Sequence, residues 1–473
     1  MNPKRYATST AIDMAAQVRK GEVSPVELVR AAIDAIASTE PELNAYSEVF
    51  EQAALKRAGL LENEARRHEF RGPLHGVPIA VKDLFQVEGF FTRRGSHLYA
   101  DAMSTDTGPA VERLFAAGAV MVGKNTTAEL GWKASSNSPL YGITRNPWDP
   151  SRTSGGSSSG SAAAVAAGTV PISLGSDGGG SMRIPASFCG VLSLKASLGR
   201  VPTYPLSPTE HLSHAGPITR SVADCALALD VVKGPDRRDP NSLPDDGVSY
   251  LSSIAAPRTS FRVAFAPTLF GKTVQPDIAA CIDRAFQAVR QNLPVEAVDV
   301  RLGWQDPIEI FEALWTARGA LYKNLPEADK ARLDPGLLRM VELSRGISVD
   351  DHFRTLQARA RFCRTVADSF EDIDILLLPA VPIDPFAAEL DGPADMDPSP
   401  AVPWARWTPL SYPFNLTGQP AASIPCGWSD AGYPVGLQVV GKRFDDVTVL
   451  QFCAAWERHF DWHVRRPTVF AGA

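Results

Sequence analysis

The sequence has no run of about 20 consecutive apolar residues, so it offers no helix able to span a bilayer. Cysteine is scarce: Cys189, Cys225, Cys281, Cys363, Cys426 and Cys453 are too far apart for a C-x-x-C zinc site or a small disulfide framework. Reduced, mostly buried thiols in a cytoplasmic protein are the expectation. A basic excess is also lacking, with 47 Lys and Arg against 53 Asp and Glu for a net charge of −6. With no basic stripe, no zinc-finger spacing and no RNA-binding aromatic run, nucleic acid is not an expected partner. The opening stretch, MNPKRYATSTAIDMAAQVRKGE, has no apolar core or small-residue cleavage site of a secretory leader. No metal-ligand cluster, dinucleotide fingerprint or cofactor-lysine motif stands out, so neither metal nor cofactor is expected.

What is present reads as globular. Hydrophobic residues make up 44% and charged residues 21% of 473, values that allow a large buried core. Ser24-Pro25-Val26-Glu27 is a capping box with Pro at the first helical position. Apolar residues follow at Leu28, Val29, Ala32, Ile33 and Ile36, a helical period. Between 70 and 235, strand-length runs (Val77–Val81, Ala119–Val122, Val170–Leu174) alternate with helical stretches (Pro109–Ala117, Ser161–Ala167). This alternation predicts an α/β fold with helices on both faces of the sheet. Beyond it come a polar, Pro-rich loop at 235–260, strands at Arg262–Phe265 and Val295–Val300 around a helix at 277–290, and a helical insertion at about 305–370. Strand Ile373–Leu378 precedes a long loop, 379–412, with eight prolines. Strands Ala421–Ile424 and Val435–Val440 and a helix at 446–459 complete the chain, read as a single domain over 1–473.

Three segments carry chemistry: GVPIAVKD at 76–83, GGSSSGSAAAVAAG at 155–168 and GSDGGGSMRIPASFCG at 175–190. Gly178, Gly179 and Gly180 leave backbone N–H groups bare just ahead of Ser181, the arrangement of a nucleophile beside an anion-binding nest. Lys82 ends an apolar run; only burial would lower its pKa enough to make it a base. In the middle segment Ser161 reads as a helix cap. Gly160 is followed by Ser161 and Ala162, not Lys and Ser/Thr, so it is not a phosphate loop. Gly156-Ser157-Ser158-Ser159-Gly160 also fits a G-x-S-x-G nucleophile elbow centred on Ser158, with His211, His214, His352, His459 or His463 as partner. That elbow needs a strand running into the turn, whereas 146–153 reads as a Pro-broken loop.

Taken together, the three segments resemble the amidase-signature family. Thr144-Arg145-Asn146-Pro147-Trp148-Asp149, Pro185–Gly190, Asn415-Leu416-Thr417-Gly418-Gln419-Pro420 and Pro434-Val435-Gly436-Leu437-Gln438 extend the likeness over nearly the whole chain, most weakly over 235–400. The resemblance implies an amidase-signature fold, a large central mixed β-sheet flanked by helices on both faces, with its core at about 70–235. It implies an amidohydrolase cleaving linear carboxamides through an acyl-enzyme on Ser181. Ser157, next to a cis peptide bond, would bridge to Lys82 as base. The backbone of Gly178 to Ser181 would hold the oxyanion, with Ser158, Asp177 and Arg183 in support. It also implies a small-molecule amide as partner, no membrane, and a homodimer.

Two positions depart from the family pattern: Ser159 where Gly is usual, and Gly178 where Thr, Ile or Ala is usual. The extra glycine is expected to loosen the turn. The glutaminase component of the tRNA-dependent amidotransferase shares the signature, but has Gln where this chain has Ile184, which favours a stand-alone hydrolase. Trp315, Tyr322, Trp404, Trp407 and Tyr412 are candidate pocket walls or, equally, packing aromatics.

Overall fold

The computed structural model describes residues 2–472 apart from 257 and 301. Eleven strands form one mixed sheet: β1 (Tyr46–Val49), β2 (Pro78–Lys82), β3 (Val120–Asn125), β4 (Ile172–Asp177), β5 (Leu192–Lys195), β6 (His214–Thr219), β7 (Phe261–Phe265), β8 (Val295–Ala297), β9 (Ile375–Pro379), β10 (Ala421–Trp428) and β11 (Pro434–Gly441). Their spatial order is β1-β3-β2-β4-β6-β5-β10-β11-β9-β7-β8. β3, β2 and β4 run parallel, as do β9, β7 and β8; the other neighbours are antiparallel.

Alternate residues of a strand face opposite sides of the sheet. Accordingly, Ile375 and Leu377 of β9 enter one hydrophobic cluster, while Leu376 and Leu378 enter another. Helices cover both clusters, which is why the central strands read as unbroken apolar runs.

The capping box at Ser24 forms as expected: Ser24 Oγ accepts from Glu27 N–H (3.1 Å), and Glu27 Oε2 from Ser24 N–H (2.8 Å). It opens the helix Pro25–Leu43, whose apolar stripe is buried. Several expected elements shift. The stretch 235–260 contains a short helix, Tyr250–Ala255, anchored where Asp230 Oδ1 accepts from Tyr250 N–H (2.7 Å); residue 257 lies outside the described residues. β8 stops at Ala297, short of the expected Val300, because it is an edge strand paired on one side to β7. Residues 145–153 are not a plain loop. Arg145–Asn146 and Asp149–Thr153 pair as a two-stranded ribbon outside the main sheet. The insertion is helical at Ile308–Ala317, Pro335–Ser344 and Val349–Ser369.

Candidate active site

β2 and β4 are parallel neighbours, with Val81 beside Leu174. Their carboxyl ends therefore lie together, the edge at which open α/β sheets gather functional groups. This brings Lys82, at the end of β2, beside Ser176 and Asp177, at the end of β4.

The serine loop reaches this edge through two anchors. Asn146 Nδ2 donates to Thr153 O (3.1 Å) and Phe188 O (3.0 Å), and Trp148 Nε1 donates to Cys189 O (2.8 Å). The ribbon is thus stapled to the helix Arg183–Cys189 that follows the glycine turn. The peptide bond between Gly156 and Ser157 is cis. Ser158 N–H then donates to Ser181 O (3.0 Å), holding the loop against the turn.

Lys82 is fully buried, and its Nζ lies 2.7 Å from Ser157 Oγ, 2.9 Å from Ser158 Oγ and 3.0 Å from Ser176 Oγ. Burial pushes its pKa well below the ordinary lysine value. The Asp177 charge opposes this and the Arg318 charge adds to it. Ser158 Oγ donates to Ser176 O (3.0 Å) and accepts from Ser176 N–H (3.3 Å) as well as from Lys82. Its one proton and both lone pairs are engaged. Ser157 Oγ has Lys82 as its hydrogen-bond partner. Among the described residues no histidine hydrogen-bonds to Ser157, Ser158 or Ser181. The elbow therefore lacks its imidazole, and the strand ahead of it, Asp149–Thr153, belongs to the outlying ribbon and not to the main sheet.

The helix after the loop begins at Ser159, two residues before the expected start. Ser161 does not cap it. The Ser158 hydroxyl sits at the cap position but is drawn to Lys82 and Ser176, while Ser161 Oγ lies inside the first turn, 3.5 Å from Asn125 Oδ1. Ser159 Oγ is buried without a partner.

Asp177 organises the glycine turn. Its Oδ1 accepts from Gly180 N–H (2.7 Å) and its Oδ2 from Met182 N–H (3.2 Å). It pairs with Arg183, Oδ2 to Nε 3.0 Å, both side chains wholly buried. Burial alone would raise the Asp177 pKa, but the Arg183 charge overcomes it and holds the carboxyl far below the usual range. Arg183 also donates to Ser411 O (2.8 Å), Asn415 Oδ1 (2.6 Å) and Gln438 Oε1 (2.6 Å). The two C-terminal segments noted in the sequence supply the last two partners.

The Gly180 N–H, expected in the anion nest, is thus committed to Asp177. The N–H groups of Gly178, Gly179 and Ser181 have no acceptor among the described residues. Packing accounts for the glycine at 178. A Cβ there would lie 2.8 Å from the Trp315 ring, and one at Gly179 would lie 2.7 Å from both Phe311 and Trp404. The rings occupy the space that side chains would need.

Ser157 and Ser181 open onto a cavity of about 160 Å³, with Trp315, Tyr322, Arg94 and Arg318 in its wall. The segment 203–209, with a cis Tyr204–Pro205 bond, forms another side. Trp404, Trp407 and Tyr412 do not reach it. They pack behind the wall: Trp404 edge-on to Trp315 (5.3 Å between centroids), Tyr412 stacked on Phe311 (4.9 Å) and Trp407 on Phe188 (6.3 Å). The arginines and the 203–209 segment carried no motif or periodicity that marked them in the sequence. Among the described residues, no group of three or more His, Cys, Asp or Glu side chains is placed to hold a metal.

Residues 27–450 match the family model described as Amidase. The chain belongs to the amidase family. It is 34% identical, over 99% of both chains, to the A component of the glutamyl-tRNA(Gln) amidotransferase of Chloroflexus aggregans. It is 32% identical, over 97% of both, to an acylamidase of Rhodococcus erythropolis. A bacterial aryl acylamidase of the amidase-signature family superposes with a TM-score of 0.89 at 29% identity, over 96% of this chain and 97% of that one. A 6-aminohexanoate cyclic dimer hydrolase does so with 0.89 at 28%, over 98% and 99%. The protein is a hydrolase of the amidase-signature type, with a mixed sheet as that fold requires. No helix among its described residues is long and apolar enough to cross a membrane.

Proposed function

We propose that this amidase-family chain hydrolyses a linear carboxamide by itself, through an acyl-enzyme on Ser181 with Ser157 and Lys82 as proton relay. The observation that carries this reading is the arrangement around Lys82 Nζ. Ser158 has spent its proton on Ser176 O, so it accepts from Lys82, as does Ser176 Oγ. A neutral amine has two N–H donors and one lone pair. With both donors used, the lone pair faces Ser157 Oγ–H at 2.7 Å. Ser157 is then free to accept a proton from Ser181.

In the first step Ser181 Oγ bonds to the amide carbon, its proton passes to Ser157, and the Ser157 proton passes to Lys82. The resulting oxyanion accepts from the N–H groups of Gly178, Gly179 and Ser181; such donors contribute roughly 10²–10³ in rate each. Collapse breaks the C–N bond, and the relay reverses to protonate the departing amine. Water then attacks the acyl ester by the same route, releasing carboxylate and free Ser181.

The test is intact-mass detection of labelling by a fluorophosphonate. Labelling lost in Ser181→Ala, much slowed in Lys82→Ala and retained in Ser158→Ala is expected. Labelling that survives Ser181→Ala and vanishes in Ser158→Ala would overturn the assignment in favour of an esterase-like elbow using a histidine.

The amidotransferase components among the relatives make transamidation the second reading. Against it, Ile184 is buried, its Cδ1 pressed 2.7 Å from where a Gly180 Cβ would sit, an apolar place with no use for a glutamine side chain. Hydrolysis of acetanilide or of a small cyclic amide by the purified chain, with no partner protein, separates the readings. Turnover that requires a second chain would favour transamidation; turnover of the cyclic amide alone would correct the linear preference. A cytoplasmic location accords with six free cysteines. The homodimer expected from the resemblance is read by light scattering.

A further inference from the structure

The cavity wall holds two guanidinium groups without a carboxylate. Arg318 is 8% exposed and donates from Nη2 to Leu130 O (2.6 Å); its Nε is buried with no acceptor. Arg94 Nε is likewise buried with no acceptor. Among the described residues neither side chain forms an ion pair, and the Arg94 guanidinium makes no hydrogen bond. Each lies over an aromatic ring, Arg318 on Trp315 (4.7 Å) and Arg94 on Tyr99 (4.7 Å), which takes up one face of the guanidinium and not its edge.

Their placement is built. Leu130 N–H donates to Arg94 O (2.7 Å), and Leu130 O accepts from Arg318, so one residue ties the two together. Arg94 and Leu130 both hold left-handed backbone, φ 56° and 52°, a conformation uncommon in residues other than glycine. Asp177 is the cavity's own carboxylate, and it is already satisfied by Arg183, Asn415 and two backbone N–H groups.

Arg94 is half-buried, its Nε covered, but Arg318 is buried, and a buried charge normally has a partner, because leaving it unpaired forfeits its hydration without return. A guanidinium fork fits a carboxylate with two parallel hydrogen bonds. We infer that Arg318 and Arg94 form a carboxylate-binding subsite, so that the preferred substrate is an amide carrying a carboxylate group. Trp315 lines the cavity beside that subsite. This deepens the proposed amidase reading and rests on it for the word substrate, but the anion site itself stands on the arginines.

The test compares binding of benzoate and benzamide to the full-length protein by calorimetry, which requires no turnover. Benzoate is expected to bind at least tenfold tighter than benzamide. The preference is expected to fall below threefold in Arg318→Gln and in Arg94→Gln, and to survive in part in Arg318→Lys. Equal binding of the two probes by the wild type, or a preference untouched by both glutamine variants, would overturn the inference. Turnover then extends the comparison: 4-acetamidobenzoate against acetanilide is expected to show the same order in kcat/KM, and equal values would overturn the substrate preference. A benzoate preference in a protein that no fluorophosphonate labels at Ser181 would count against the amidase reading only. Normal labelling without the preference would count against the subsite only.

Discussion

Two regions line the cavity, and they differ in the balance of polar network and ring packing. Within the signature core, 70–235, hydrogen bonds fix Lys82 and the carboxylate beneath the glycine turn, while Ser159 Oγ and Arg94 Nε are left without partners. Ser158 has every site filled, and Asp177 and Arg183 are bonded to each other, to the turn's backbone and to the C-terminal segments. The layer from 304 to 412 combines ring packing with a few hydrogen bonds, such as Trp315 Nε1 to Trp132 O (3.0 Å) and Tyr412 Oη to Asp306 Oδ1 (2.7 Å). Trp404 Nε1, Trp407 Nε1, Thr316 Oγ1 and Arg318 Nε are all buried without a partner. A polar network loses geometry when any member changes, whereas a packed layer accepts volume-conserving changes. The first region brings together the side chains of the proposed relay and most of the cavity lining, and the second adds Trp315, Arg318 and Tyr322.

The strongest way to break this comparison is to remove Lys82, the proposed base. Lys82→Ala should slow labelling by about 10²–10⁴-fold, the usual worth of a positioned general base. In the wild type the labelling rate should rise with pH as Lys82 loses its proton. It should reach its plateau well below the ordinary lysine pKa of about 10.4, because burial lowers the folded value. The sign for stability follows. A lysine with a lowered folded pKa weakens the fold as pH falls from the ordinary lysine range through the folded value, so Lys82→Met should melt higher than wild type near neutrality, with the gap closing at high pH. A limb left unchanged by the substitution would take Lys82 out of the mechanism.

Next in size is the buried pair. Asp177→Asn leaves Arg183 uncompensated and should destabilise by about 3–5 kcal/mol, read in urea unfolding, together with loss of labelling. A loss of less than about 1 kcal/mol, the net worth of one ordinary hydrogen bond, would mean that the amides of Asn415 and Gln438 suffice.

The third change joins the two walls. Gly178→Ala should cost about 1–3 kcal/mol by overpacking against Trp315 and slow labelling. Trp315→Leu should restore much of both, and a double-mutant cycle measures the coupling. No rescue would mean that the turn itself, not the ring, demands glycine. The smallest effect belongs to Ser159→Ala. It deletes an orphaned hydroxyl at a helix start and should change stability by less than about 1 kcal/mol, toward higher stability.

The core could be read from the sequence because its residues obey local rules. A lysine ending an apolar run, glycines ahead of a serine, and a capping box each carry their reason within a few positions. The family resemblance extended this to Ser157 and to the C-terminal segments whose Asn415 and Gln438 hold Arg183. Donor commitments were not legible: that Gly180 turns its N–H to Asp177, or that Ser161 leaves the cap to Ser158, depends on contacts between segments. The second wall was hidden for the same reason. Trp315, Trp404 and Trp407 look alike in a sequence, and only the packing decides that the first meets the cavity while the others lie behind it. Arg94 and Arg318 were two among many arginines until a covered, unpartnered Nε on each, at the cavity wall, set them apart.

The reach of Arg183 has a consequence for how the protein is made. It bonds to Ser411, Asn415 and Gln438, the last 255 residues further along the chain. At about 5–20 residues per second, a ribosome takes roughly 10–50 s to supply that partner after Arg183 has been built. During that interval the glycine turn lacks its brace, so a nascent or truncated chain ending before 411 should not take up a fluorophosphonate.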